Sequence, residues 1–173
     1  GSLVLGVRSF GSSDTAVAGV DNVKVNVNDC TEFVSNKQAG GGGDPHFARW
    51  GREHSSFHGE CDLVMLRSDK FHQGSGLDLH VRTTIEDYFS YIETAALRVG
   101  GVTIEFHKDT IHINGVSLRS SELPVTFGGD YQYTITNGDL KGKNSELYQL
   151  YDVDLHHDSM INLKFYKKYL TIS

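Results

Sequence analysis

Asp44-Pro45-His46 is the stretch of this chain with the most evident chemistry. An Asp-Pro bond is weak in acid. The aspartate carboxylate attacks its own carbonyl carbon, the bond to the proline nitrogen breaks, and that nitrogen leaves with a proton. His46 stands two residues from Asp44 and supplies that proton as a general acid if it lies within hydrogen-bond reach. Asp44, Pro45 and His46 are therefore the candidate self-cleavage residues. The alternative is structural: Pro45 sets a turn, and Asp44 accepts hydrogen bonds from nearby backbone N–H groups.

Other reactive side chains form weaker constellations. His46, His54 and His58 lie close in sequence, but Ser55-Ser56-Phe57 reads as loop or strand, and no CxxC or HExxH accompanies them. Zinc sites pair tightly spaced histidines with a clear third and fourth ligand. No metal ligand is assigned on this basis, and His156-His157-Asp158 reads as a polar turn between strands. The two cysteines, Cys30 and Cys61, are the disulfide candidates; separate thiols are the other reading. Cys61 heads an apolar run, where a cysteine is usually buried and inert. No G-x-S-x-G and no Cys–His pattern is present, so no catalytic residue is assigned and the chain is expected not to be an enzyme. Tyr131, Tyr133, Tyr148, Tyr151, Phe165, Tyr166 and Tyr169 offer a candidate sugar-stacking surface, or alternatively sheet core and cross-strand pairs.

The chain has 173 residues, enough for one domain or a domain plus a fragment. Nineteen glycines, two prolines and 38% hydrophobic residues suit a β-rich fold with many turns. A formal net charge of −6 leaves no electrostatic footprint for nucleic acid. No apolar run reaches the length of a membrane span, so membrane insertion is not expected. Gly1-Ser2-Leu3 carries neither an initiator Met nor a signal peptide, and the N-terminus reads as a cut end.

The elements that position these residues read as strands. Residues 1–29 give two: Leu3, Leu5 and Val7 alternate with Val4, Gly6 and Arg8, and Val23, Val25 and Val27 alternate with Asn22, Lys24 and Asn26. Their "VDNVKV" wording is similar to the last strand of jelly-roll, carbohydrate-binding sandwiches; an N-terminal hairpin is the plainer reading. Residues 30–43 lack periodicity and end in four glycines, so they read as a linker. From Asp44 to Ser173 the pattern is nearly all strand. Cys61–Arg67 is an apolar strand, and Leu77–Thr83 alternates. Tyr91–Val99 is alanine-rich but precedes Gly100-Gly101 and reads as strand. Val102, Ile104 and Phe106 face opposite to Thr103, Glu105 and His107, with Lys108-Asp109 as the turn. Asn114-Gly115 and Asn137-Gly138 are hairpin signals, because both residue types tolerate positive φ. Such stripes, each burying one face, predict antiparallel sheets packed as a sandwich.

Gly43-Asp44-Pro45-His46-Phe47, a Trp at position 50, then Phe57-x-Gly59-x-Cys61 and Leu63-Val64-Met65-Leu66 together resemble the opening of a von Willebrand factor type D (VWD) domain. That family runs G-D-P-H-[YF]-x-T-[FW]-D-G, then F-x-G-x-C and a hydrophobic strand. The resemblance covers about Gly43 to the C-terminus and the N-terminal two-thirds of the family domain. It implies an all-β antiparallel sandwich of VWD type, truncated at its C-terminus, with an unpaired sheet edge.

Functionally, the resemblance implies a non-catalytic extracellular or cell-surface adhesion or assembly module of a larger secreted or surface protein. Its partners would be other extracellular proteins, copies of the parent protein, or glycans. Two alternatives stand beside it: a self-processing module cut between Asp44 and Pro45, as some modules with this motif are, and a glycan-binding module. The family's calcium ligand position is held here by Gly51, with Arg52 where the following glycine is expected, so only weak calcium binding is anticipated and no cofactor is assigned. The family's partner for the cysteine at Cys61 lies near the C-terminal end of the domain, and this chain has no cysteine there.

Overall fold

Alternating stripes of apolar residues become strands that bury every second side chain. In Val102–Phe106, Ile104 and Phe106 are fully buried while Thr103 and Glu105 face outward. The computed structural model describes residues 39–42, 45–48, 54–156 and 159–173. Its strands are β1 (Gly40–Gly42), β2 (His46–Ala48), β3 (His54–Ser56), β4 (Asp62–Ser68), β5 (Leu77–Glu86), β6 (Phe89–Val99), β7 (Val102–Phe106), β8 (Thr110–Ile113), β9 (Val116–Arg119), β10 (Val125–Phe127), β11 (Tyr133–Asn137), β12 (Tyr148–Asp154), β13 (Met160–Tyr166) and β14 (Tyr169–Ile172). Among the described residues, helix is limited to single turns at Phe71–Gly74 and Ser120–Glu122.

The strands form two antiparallel sheets packed face to face, an all-β sandwich. One is a six-stranded meander, β4-β5-β6-β7-β8-β9; the other has eight strands in the order β10-β11-β12-β13-β14-β1-β2-β3. The core lies between them. Leu63, Ile92 and Phe106 of the first sheet share one cluster with Ile135, Tyr151 and Phe165 of the second. At one end the sheets are also tied by polar contacts. Lys168 donates to Glu86 at 2.8 Å, the Tyr169 hydroxyl donates to the same carboxylate, and the Tyr169 and Tyr91 rings lie 4.1 Å apart.

Two expectations are corrected. The glycines at 40–42, read from sequence as linker, form β1 between β14 and β2, with Gly41 opposite both Ile172 and Phe47. Glycine is required there because the strands approach closely. A Cβ on Gly40 would lie 2.2 Å from the Ile172 carbonyl oxygen, and one on Gly41 2.5 Å from the Phe47 ring. The last strand, β14, is thereby paired with β13 on one side and β1 on the other. Asn114-Gly115 does make a tight turn, with φ of 49° and 81°. Asn137-Gly138 does not, because residues 138–147 intervene before β12. Gly138 instead lets β12 come near: a Cβ there would meet that of Leu150 at 2.8 Å. The expected strands within residues 1–29, together with Cys30, Asp44, Gly51, Arg52, His157 and Asp158, lie outside the described residues.

Candidate functional site

The outer face of the six-stranded sheet carries a dense group of charged and titratable side chains. Strand register builds it. Val64, His80, Ala96, Glu105, His112 and Ser117 are successive cross-strand neighbours from β4 to β9. Asp62, Arg82 and Thr94 form the adjacent row. Ala96 and Thr94 are short, so a groove of about 570 Å³ opens over them, walled by Asp62, His80, Arg82, Glu93, Glu105 and His107. A register shift between Arg82 and Thr83 leaves Glu93 as the extra residue on β6, exposed at this groove. Bulges re-aim side chains in this way.

The charges on the face are partly compensated. Arg82 donates to both Asp62 oxygens, at 2.7 and 3.0 Å, and these hydrogen bonds hold the Asp62 carboxyl below its ordinary range. Glu93 and Glu105 remain, so the groove is acidic. One row away, Asp78 is buried beneath Arg67 and Arg98. Arg67 Nε donates to it at 2.7 Å and Arg98 Nε at 2.8 Å. Burial pushes the Asp78 carboxyl up, but the hydrogen bonds from both arginines outweigh it and hold the group below its usual value.

At the β7–β8 end, Glu105, His107 and His112 converge. Glu105 Oε2 lies 3.9 Å from His107 Nε2 and 3.8 Å from His112 Nδ1, and one donor atom from each residue falls within 4.8 Å of the others. His107 Nε2 is buried and has no hydrogen-bond partner. The backbone fixes the arrangement: Glu105 and His112 are directly paired, and the His107 N–H donates to the Thr110 carbonyl at 2.9 Å. Among the described residues, these three could hold a metal. The histidine grouping considered from sequence does not include them.

The residues singled out from sequence lie elsewhere. Pro45 is buried, and its carbonyl accepts the Phe57 N–H at 3.0 Å. The His46 Nδ1 contacts Ser56 Oγ at 2.8 Å across β2–β3, with His54 paired opposite Ala48 on the same ribbon. His58 Nε2 donates to the Tyr88 carbonyl at 2.8 Å, so His46 and His58 are each engaged with other groups. Cys61 is half-buried at the head of β4. Of the seven aromatics, Tyr133, Tyr151 and Phe165 belong to the core. Tyr148 and Tyr166 pair on the surface with ring centroids 4.8 Å apart, and the ammonium groups of Lys143 and Lys164 sit 5.2 and 5.5 Å from the Tyr148 ring.

The phenylalanine, glycine and cysteine of the F-x-G-x-C segment have structural roles. The Phe57 ring occupies the space a Gly59 side chain would need, 2.8 Å from the position of its Cβ. Gly59 N–H donates to Ser90 Oγ at 2.7 Å, and Cys61 N–H donates to Thr83 Oγ1 at 3.0 Å. The segment thereby anchors the start of β4 to β5 and β6. Compared with known proteins, the chain matches no family model and no curated protein.

Proposed function

We propose that this chain is a non-catalytic, VWD-like recognition module of an extracellular or surface protein, working in adhesion or assembly. The observation that supports it is the groove over Ala96 and Thr94, an acidic, hydrogen-bonding surface held on a rigid sheet. Sites built on strands are preorganised and lose little entropy on binding. Asp62 is neutralised by Arg82, while Glu93 and Glu105 are left to attract a partner presenting lysine, arginine or hydrogen-bond donors. The test uses the whole chain coupled to beads. The reading predicts that beads cluster with one another, or capture the secreted proteins of the source cells, and that soluble chain competes. Beads that neither cluster nor capture anything above a blank would reject it.

A second reading, self-processing, is favoured by the connection between β1 and β2. Gly42 pairs with His46, so only residues 43–45 join the two strands, and the Asp44-Pro45 bond falls within them. A folded sheet that restrains this bond would cleave faster in mild acid than urea-unfolded chain, with fragments split between Asp44 and Pro45. Equal rates would leave only ordinary Asp-Pro lability. The glycan-binding alternative rests on the Tyr148–Tyr166 pair and its lysines, and a carbohydrate array compared with the Tyr166→Ala variant tests it.

A further inference from the structure

We propose that Glu105, His107 and His112 bind a divalent transition-metal ion of the zinc class. Two imidazole nitrogens and one carboxylate oxygen are the donor set such ions favour, whereas calcium and magnesium prefer oxygen alone. The donor atoms lie within 4.8 Å of one another, with 3.8 and 3.9 Å separating the carboxylate oxygen from each imidazole. A tetrahedral ion with bonds of about 2.0–2.1 Å holds its ligands roughly 3.4 Å apart. The side chains must therefore close by only about half an ångström to somewhat over one ångström. Glu105 is exposed enough to move, and the backbone need not.

Two further features point to an ion rather than to a chance cluster. His107 Nε2 is buried without a hydrogen-bond partner, although it faces the Glu105 carboxylate at 3.9 Å, too far for a hydrogen bond. A buried polar atom left this way is costly, and a metal bond removes the cost. The hairpin also sets all three positions on one face: His107, the first residue after β7, is two on from Glu105 and held by its N–H bond to the Thr110 carbonyl, and His112 is the direct partner of Glu105. Three protein ligands leave a coordination position, and Glu105 and His107 both border the groove. The inference does not depend on what else the groove recognises.

The experiment is calorimetric titration of chelator-treated full chain with zinc chloride, alongside calcium and magnesium chloride, and cobalt absorption as a spectroscopic report on coordination. One equivalent of zinc is expected to bind, with a higher melting temperature and a tetrahedral cobalt spectrum, and with calcium and magnesium ineffective. His112→Ala and His107→Ala should each weaken zinc at least roughly tenfold, the loss seen even for an outer-sphere partner. His46→Ala combined with His54→Ala should change nothing. Both ligand histidines are partly exposed on the outer face, so the variants should melt like the parent without metal. No stoichiometric zinc binding, or binding that survives the His107→Ala/His112→Ala double variant, overturns the proposal.

Discussion

Thr83 holds the main chain of Cys61 from both sides. Its Oγ1 accepts the Cys61 N–H at 3.0 Å, and its own N–H donates to the Cys61 carbonyl at 2.9 Å. The same hydroxyl donates to the Gly59 carbonyl at 2.9 Å, and Thr83 is fully buried. One side chain thus secures the entry to β4. Thr83→Val keeps the shape but leaves the partly buried Cys61 N–H and Gly59 carbonyl without this partner. We expect a loss of about 1–3 kcal/mol. Urea unfolding should show a lower midpoint with unchanged slope, as befits a pure stability change.

Asp78 makes stability depend on acid. Its carboxyl titrates below the ordinary range when folded, because two arginines outweigh the effect of burial. The contribution is therefore fully present above the unfolded value, about 3.9, and is lost as pH falls through the lower folded value. Asp78→Asn should cost about 1.5–3 kcal/mol at neutral pH, the range for hydrogen bonds to charged groups. Unfolding curves from pH 7 to pH 2 should show parent and variant converging at the acid end. A constant gap across that range would mean that the ion pairs are not the source.

Gly40 tests the corrected reading of the glycine run. A linker glycine tolerates alanine, but a Cβ at Gly40 would meet the backbone oxygen of Ile172, which cannot rotate away. Gly40→Ala should destabilise by about 1–3 kcal/mol, as overpacking does. It should also speed amide exchange in β14. Thermal melts and exchange on the single variant decide the matter.

Much of the first sheet was legible because its signals are local. The stripes of Leu77–Thr83 and Val102–Phe106, and the Asn114-Gly115 turn, each need only a few neighbouring residues. The β1–β14 pairing joins positions about 130 residues apart, and no local pattern announces it. The metal-type cluster was within reach. Placing Glu105 and His107 on one face and taking Lys108-Asp109 as a two-residue turn brings His112 opposite Glu105. The histidines near position 50 are neighbours in sequence, whereas the β7–β8 hairpin brings together residues that are close in space. The groove opens over the short side chains of Thr94 and Ala96, and the bulge at Glu93 shows along β6 only as a change of phase, from buried Ser90 and Ile92 to buried Ala95, Leu97 and Val99.

The most direct measurement of the central claim is bead clustering and capture by the Ala96→Arg variant beside the parent chain. Ala96 floors the groove on the outer face and is only half-buried, so a longer, cationic side chain fills the groove without entering the core. The account predicts that clustering or capture is lost while the melting temperature stays within about 1–2 °C of the parent, since a surface substitution usually changes stability by under about 0.5 kcal/mol. A well-folded Ala96→Arg chain that clusters and captures as the parent does would contradict it, and would move the recognition surface off this face of the sheet.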